Sequence, residues 1–298
     1  MDDPRQAPPD IDALWDYGDP AASEARFQAL LARMGEEAPA AFQAELLSQI
    51  ARSHGLRADF DSARRWLDEG EARCRTAEAR GEEVAPARTR LLLERGRCLN
   101  SGGDPAGSVP LFQAALATAE AAGLEHLACD AAHMLGIALP GEEGLAWNRR
   151  TIAMAEAARD PRARRWLGAL YNNTGWSLHH LGRFDEALEL FDRGLAFREA
   201  QDPAGRAARI ARWCRARCLR SLGRLEEALA EQRTLLAAGG EQDDGFVHEE
   251  LGELLLALGR PDEARGHFAR AHALLSRLTG LETLDEGRLA RMKALGKG

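Results

Sequence analysis

The heptapeptide Leu-Gly-Arg-Phe-Asp-Glu-Ala at residues 181–187 decides the fold, because the chain repeats it twice with small changes. It returns as Leu-Gly-Arg-Leu-Glu-Glu-Ala at residues 222–228 and as Leu-Gly-Arg-Pro-Asp-Glu-Ala at residues 258–264. Looser copies surround residues 103 and 55–67. A unit that recurs along a chain predicts a repeat architecture, in which each unit buries its apolar face against its neighbours.

Each copy of the unit predicts two helices joined by a short turn. Tyr171, Thr174 and Leu178 recur three and four residues apart, which is the spacing of one helical face. Gly182 then supplies the left-handed residue that commonly ends a helix. Asp185 follows at the start of the second helix, where the helix dipole favours an acidic side chain.

The two helices of a unit are expected to pack closely. Gly175 in the first helix and Ala187 in the second are small enough for a close approach, and Phe191 fills the remaining space. The positions equivalent to Ala187 recur every 36 to 45 residues along the chain.

These residues resemble the tetratricopeptide repeat, a family whose units place a small residue, Leu-Gly, and then Ala and Phe at these positions. The resemblance implies an all-α, right-handed superhelical solenoid of about six antiparallel helix pairs. Family repeats are usually about 34 residues long, so the longer spacing here predicts long helices, as in kinesin light chains and bacterial regulatory arrays. The match is loosest near Pro140-Gly141, which replaces the Leu-Gly turn.

Three segments are predicted along the chain. Residues 1–12 are polar and contain three prolines, which favours a mobile N-terminal tail. Residues 13–280 form the solenoid, and a helix that opens at Asp19-Pro20 and ends at Met34 caps its first repeat. Residues 281–298 hold a C-terminal capping helix and tail, because an array must cover its last apolar face.

Composition narrows the class of protein. The 298 residues carry a formal net charge of −8, with 45% hydrophobic and 29% charged residues, so a sizeable core is expected. No apolar run approaches the roughly 18 residues of a membrane helix, and no apolar signal segment opens the chain. We therefore expect a cytoplasmic protein without a membrane partner. The acidic balance argues against nucleic acid as a partner.

No motif of an enzyme, metal site or cofactor site is found in the sequence. The glycine-bearing turns follow helices rather than strands, which excludes a phosphate loop. His179 and His180 are adjacent and therefore point in different directions from a helix. Cys214 and Cys218 lie four residues apart without a second ligand pair, which favours helix packing over metal binding. We expect no catalysis, no metal and no cofactor.

The resemblance implies that the first helices of successive repeats line an inner wall, and helical spacing identifies the open face of each. The residues on that face, from the N-terminal repeat to the last, are Arg90, Glu94, Arg97 and Asn100, then Asp130, His133, Met134 and Ile137, then Asn172, Asn173, Trp176, His179 and His180, then Trp213, Arg217 and Arg220, then Phe246, Glu249, Glu250 and Glu253.

Several of these side chains suit a peptide ligand. Asn173 matches the position at which peptide-binding members of the family carry an asparagine, whose amide can pair with an extended backbone. Trp176 and Trp213 offer flat apolar anchors. Arg217 and Arg220 can pair with carboxylates, and so can Arg90 and Arg97 in an earlier repeat.

Each of these interpretations has a structural alternative. The adjacent Asn172 and Asn173 could hydrogen-bond within the array, and Trp176 or Trp213 could pack between neighbouring helices. Arg217 and Arg220 could pair with Glu249, Glu250 and Glu253 of the next repeat, which is the strongest alternative because neighbouring repeats place these faces side by side.

The sequence therefore predicts an adaptor that holds a peptide or helical segment of another protein in a concave groove, and the groove arginines are compatible with acidic residues in that partner. One alternative is a ligand- or peptide-sensing regulatory module in which Pro140-Gly141 acts as a hinge. Another is a self-assembling scaffold. The oligomeric state is left open.

Overall fold

The computed structural model describes residues 9–35, 38–239, 244–278 and 285–297, and within these ranges the chain is helical with no strand. The fold class predicted from the repeated heptapeptide is confirmed. The chain divides into two compact units, Met1–Trp166 and Leu167–Gly298. Each unit is described by itself.

The first unit contains three antiparallel helix pairs, preceded by a 3-10 turn and a capping helix and followed by a single helical turn. Its elements are a 3-10 helix at Ile11–Leu14, α1 (Pro20–Met34), α2 (Ala40–Leu56), α3 (Phe60–Ala79), α4 (Ala85–Ser101), α5 (Pro105–Ala121), α6 (Glu125–Ala138), α7 (Gly141–Ala157) and α8 (Pro161–Arg164). The pairs are α2 with α3, α4 with α5, and α6 with α7, and the first helices α2, α4 and α6 also contact one another in order.

The second unit contains three more pairs and a terminal helix. Its elements are α9 (Leu167–His180), α10 (Phe184–Glu199), α11 (Arg206–Ser221), α12 (Leu225–Gly239), α13 (Gly245–Ala257), α14 (Pro261–Leu275) and α15 (Glu286–Leu295). The first helix α11 contacts both α9 and α13, and α15 packs on α14.

The repeated heptapeptide forms the turn inside each pair of the second unit. Gly182, Gly223 and Gly259 have φ values of 73°, 75° and 73°, the left-handed conformation expected at these helix ends. The arginine that follows each glycine forms a two-pronged ion pair with the glutamate three residues later, as in Arg183 with Glu186 at 2.6 and 2.8 Å. Arginine and glutamate in the heptapeptide therefore help to begin the second helix.

The close approach of the two helices is also confirmed. A Cβ atom built on Gly96 would lie 2.4 Å from the ring of Phe112, and one on Gly175 would lie 2.7 Å from the ring of Phe191. Phe112 is fully buried. The phenylalanine ring of the second helix therefore occupies the space that any larger residue in the first helix would need.

Two pairs replace this contact with other residues. In the α6–α7 pair, Gly136 faces the side chain of Asn148, whose Oδ1 would lie 2.1 Å from a Cβ atom on the glycine. In the α11–α12 pair, Gln232 stands where the other pairs of the second unit carry Phe191 and Phe268, and it is fully buried. Neither side-chain amide atom of Gln232 has a hydrogen-bond partner among the described residues.

Three sequence-based boundaries can be compared with the structure. The predicted tail ended at residue 12, whereas Ile11 lies in the 3-10 helix and is buried against the first core; residues 1–8 fall outside the described ranges. The expected N-terminal cap coincides with α1. The expected C-terminal helix begins at Glu286, its inward Met292 is fully buried, and residues 279–284 are outside the described ranges.

The turn at Pro140-Gly141 is a regular helix connection in the structure. Pro140 is the N-cap residue of α7, and Gly141 takes the left-handed conformation with a φ of 59°. The α6–α7 pair packs like its neighbours, and the chain divides at residues 166 and 167 instead. The degenerate sequence therefore changes the turn without interrupting the pair.

Replacing Gly96 by alanine tests the close approach. We expect Gly96→Ala to lower the free energy of unfolding by about 1–3 kcal/mol, because overpacking of the buried Phe112 outweighs the better helix propensity of alanine. Gly266→Ala is the control, since a Cβ atom there meets nothing within 4 Å, and it should raise stability by up to about 1 kcal/mol. Urea unfolding followed by circular dichroism measures both, and equal effects would contradict the packing account.

Replacing Gln232 by methionine tests the buried amide. We expect Gln232→Met to raise the free energy of unfolding by about 1–2 kcal/mol, because burial of an amide without partners is unfavourable. The control is Gln43→Met, which should be destabilising because the Gln43 amide donates to the carbonyls of Gly35 and Ala38, both at 3.1 Å. A loss of stability in Gln232→Met would show that its amide is satisfied in the folded protein.

Candidate functional site

The second-unit wall is the face that α9, α11 and α13 present side by side, away from their partner helices α10, α12 and α14. Contacts along it join α9 to α11 and α11 to α13. It carries seven of the residues predicted from sequence, namely Asn172, Asn173, Trp176, His179, Trp213, Arg217 and Arg220. Arg90 and Arg97, the other two, lie on α4 in the first unit.

Trp176 and Trp213 form the centre of an aromatic cluster on this wall. Their ring centroids are 6.1 Å apart, and Trp176 also packs edge-on against Phe191 of α10 at 5.3 Å. The indole N–H of Trp213 donates to the backbone carbonyl of Phe246 on α13, at 3.2 Å. Both tryptophans are half-buried, so they pack between helices and still present an apolar edge to solvent.

The two asparagines differ in their surroundings. The Asn172 carbonyl oxygen accepts the thiol proton of Cys214 at 3.3 Å, and its amide donates to Asn173 at the same distance. Asn173 is exposed, whereas Asn172 is half-buried. Asn172 therefore links α9 to α11, and Asn173 is the amide that faces solvent.

Arg217 and Arg220 share one carboxylate. Glu250 of α13 accepts from Arg220 at 2.8 and 3.1 Å, and it also lies 3.1 Å from Nε of Arg217. The internal pairing considered as the strongest alternative is therefore present, and it uses Glu250 alone. Burial, and secondarily the neighbouring Arg220, lowers the pKa of Arg217 against the opposing attraction of Glu250.

The other two glutamates of α13 pair in the opposite direction, with the terminal helix α15. Arg288 forms a two-pronged ion pair with Glu249 at 2.7 and 2.6 Å, and Arg291 pairs with Glu253. Among these wall residues, four guanidinium groups face three carboxylates. The surplus positive charge lies with Arg217 and Arg220, which hold a single carboxylate between them.

His179 is connected to the same pair of arginines through a hydroxyl group. The Ser221 oxygen accepts from Arg217 at 2.8 Å and lies 2.9 Å from Nε2 of His179. Since that oxygen already accepts from Arg217, its own proton is available to a neutral His179 ring. Burial, with a smaller contribution from Arg217, lowers the pKa of His179 to about 4.

The first-unit wall, formed in the same way by α2, α4 and α6, carries a more complete set of ion pairs. Arg90 pairs with Asp12 at 3.0 Å and with Glu45 at 3.2 Å. Arg97 pairs with both Glu94 and Asp130. Each predicted binding arginine of this unit therefore already contacts two carboxylates.

A third arginine, Arg52 of α2, extends this network by pairing with Glu94 at 2.9 Å. Asp130 is buried, which opposes its ionisation, but Arg97 and Arg52 outweigh that effect and lower its pKa. His133 lies beside them, buried and 5.6 Å from the ring of Trp166. These contacts link α2, α4 and α6 in order along the wall.

The geometry of these helix pairs agrees with a known repeat family. A tetratricopeptide-repeat model matches residues 167–200, which correspond to α9, the Gly182 turn and α10. This chain is a tetratricopeptide-repeat protein. No curated protein sequence matches it.

Two solved tetratricopeptide-repeat structures are similar in fold. One is a putative kinesin light chain with TPR-like repeats from Podospora anserina, with 16% identity, a TM-score of 0.52, and coverage of 70% of this chain and 98% of that one. The other is a signal transduction ATPase with numerous domains and a tetratricopeptide-repeat sensor from Pyrococcus horikoshii, with 14% identity and a TM-score of 0.69. It covers 93% of this chain, which spans 43% of that protein.

A cavity of about 600 Å³ opens beside the repeat wall of the second unit, between the ends of α11, α12, α13 and α14. Trp213 and Phe246 line its inner side, and the half-exposed Ile210 and Leu278 lie at its mouth. Arg206 and Arg209 add positive charge to the lining. The cavity therefore continues the aromatic cluster toward the N-terminal ends of α11 and α13.

Sequence reasoning missed the α2 residues Glu45 and Arg52 and the α15 residues Arg288 and Arg291. The first two lie seven residues apart on one helical face, a spacing that could have placed them on the wall. All five cysteines are buried, and burial raises the pKa of Cys214 and Cys218 to about 11, consistent with the packing role predicted for that pair.

Two other classes of site are absent from the described residues. They contain no group of three or more His, Cys, Asp or Glu side chains placed to hold a metal ion. Within the same ranges, no helix has the length and apolar character needed to cross a membrane.

The pKa of His179 gives a test of the wall's electrostatics. Because the folded protein favours the neutral ring, the stability that His179 contributes is fully present above its ordinary pKa of about 6.5 and is lost as the pH falls from there through about 4. NMR titration of the imidazole should give a midpoint well below 6.5. Arg217→Gln should raise that midpoint, and a wild-type value at or above 6.5 would contradict this arrangement.

Proposed function

We propose that the protein is an interaction module that binds a peptide or helical segment of a partner protein on the second-unit wall. Tetratricopeptide-repeat folds generally mediate protein–protein interaction. The observation that carries the proposal is the combination, on one face, of the exposed Asn173, the half-buried tryptophan pair, and two arginines that share one carboxylate.

The three parts would act on different features of a partner segment. The Asn173 amide can donate to and accept from an extended backbone, which fixes the segment without selecting its sequence. The apolar edges of Trp176 and Trp213 can bury a side chain of the partner, as aromatic anchors do at interfaces. Arg217 and Arg220 can accept a carboxylate of the partner in addition to Glu250.

The charge balance favours an acidic partner on the second unit rather than the first. Arg217 and Arg220 share Glu250, whereas Arg97 contacts two carboxylates and Arg90 contacts two others. A carboxylate that enters between Arg217 and Arg220 meets a surplus positive charge. The same group approaching Arg90 or Arg97 must displace a pair that already exists.

A second candidate function is ligand sensing, and the cavity beside the wall supports it. A volume of about 600 Å³ is in the range of sites for small molecules. The similar protein from Pyrococcus horikoshii carries a tetratricopeptide-repeat sensor. The expected cytoplasmic location, and the exclusion of nucleic-acid, membrane and catalytic roles, stay predictions from sequence.

Selection of peptides from a random library tests the proposed site with a partner of unknown identity. Displayed peptides are selected on the immobilised full-length protein, and their dissociation constants are measured by fluorescence anisotropy. We expect acidic residues beside an apolar residue in the selected peptides. Asn173→Ala and Arg217→Gln should each weaken binding about tenfold, which corresponds to about 1.4 kcal/mol.

The control for these variants is Arg265→Ala on the outer helix α14, where the side chain pairs only weakly with the exposed Asp262 at 3.3 Å. It should change the affinity less than twofold. Circular dichroism verifies that each variant is folded. Unchanged affinity in both wall variants, with folding intact, would move the binding site away from this wall.

A further inference from the structure

The first-unit wall already holds a short peptide-like segment, which is the chain's own residues 10–17. This segment has a single 3-10 turn, is not part of any helix pair, and precedes α1. Most of it is exposed or half-buried, and Ile11 alone is fully covered. It therefore lies on the wall as a ligand would rather than within the core.

An acidic side chain of the segment contacts the basic wall. Asp12 pairs with Arg90 of α4 at 3.0 Å, beside the Glu45 carboxylate of α2 that binds the same guanidinium group. Asp10 caps the 3-10 turn by accepting from the Asp12 backbone, so it orients Asp12 rather than touching the wall. The segment thus places one carboxylate on the arginine of the wall.

Two aromatic residues of the segment contact α2. The indole N–H of Trp15 donates to the side-chain carbonyl of Gln49 at 2.8 Å. Trp15 and Tyr17 stack in parallel at 4.9 Å, and the guanidinium group of Arg52 lies 5.8 and 5.7 Å from their ring centroids. Gln49 and Arg52 are three residues apart, on the same face of α2 that Glu45 occupies.

Departure of the segment leaves the wall charges paired. Without Asp12, Arg90 keeps Glu45, and without the aromatic rings Arg52 keeps Glu94. Since no buried charge loses its last partner, the large penalty that follows removal of a sole ion-pair partner is avoided. The contacts that hold the segment are therefore replaceable by an equivalent set from another chain.

We propose that the first-unit wall is a docking site for a partner segment that carries a carboxylate three residues before a tryptophan, and that residues 10–17 fill this site in cis. Binding in trans then competes with the built-in segment. The apparent affinity for a partner is reduced by the fraction of molecules in which the site is occupied. Weakening the segment increases affinity without altering the wall.

The test uses the full chain and a fluorescent synthetic peptide with the sequence of residues 9–19. An opened variant carries Asp12→Lys and Trp15→Ala, which remove the two contacts while keeping the buried Ile11. We expect the opened variant to bind the peptide at least tenfold more tightly than the wild-type chain. A peptide that carries the same two substitutions should not bind either protein.

Two further variants in the opened background locate the binding. Arg90→Ala should weaken peptide binding about tenfold, and Arg150→Ala should leave it unchanged, because Arg150 is exposed on the outer helix α7. Equal binding to opened and wild-type chains would overturn the occupancy in cis. No binding to the opened variant, or no effect of Arg90→Ala, would overturn the docking site.

A second measurement leaves the wild-type chain intact and so does not depend on the folding of the opened variant. The indole N–H resonance of Trp15, assigned with Trp15→Phe, should move toward its solvent-exposed position when unlabelled peptide is added in excess. A resonance that does not move at saturating peptide would also overturn the proposal. Light scattering adds one arm, since peptide-blocked dimers of the opened variant would assign the surface to a second copy instead.

Discussion

The structure depends on one steric constraint, the contact of a small residue in the first helix of a pair with a large side chain in the second. At Gly96 and Gly175 the ring of a phenylalanine fills the space where a Cβ atom would be. Because this contact fixes the rotation of the first helix about its axis, it also fixes which residues face outward. The wall is therefore a consequence of how the helix pairs pack.

The walls are joined laterally by arginine–carboxylate pairs. Arg52 with Glu94, Arg220 with Glu250, and Arg288 with Glu249 each link neighbouring first helices or the terminal helix. The planar guanidinium group can form two parallel hydrogen bonds with one carboxylate, as the last two pairs do. The wall therefore aligns successive repeats, and its free valences are few and localised.

The two units use this common design differently. In the first, each predicted binding arginine contacts two carboxylates, and a segment of the chain itself covers part of the wall. In the second, Arg217 and Arg220 share Glu250 beside two half-buried tryptophans. Charge balance, more than fold, separates a wall that is filled from one that can accept a partner.

Periodic features of the sequence were predictable, and features that depend on a single contact were not. The turn at Gly182 and the contact between Gly175 and Phe191 follow from spacing that recurs in other units. The choice of Glu250 over Glu249 and Glu253 does not, because all three lie on one helical face and only their distances to neighbouring helices differ. The docking of Trp15 on Gln49 has no periodic signal, since the segment that carries it forms no repeat.

The most direct test of the central claim is to map where a selected peptide attaches to the protein. A peptide obtained by library selection is made with a photoreactive diazirine residue, cross-linked to the full-length chain, and located by mass spectrometry. The account predicts cross-links to the wall-facing residues of α9 and α11, between Asn172 and Arg220. Cross-links confined to the outer helices α10, α12 and α14 would contradict it.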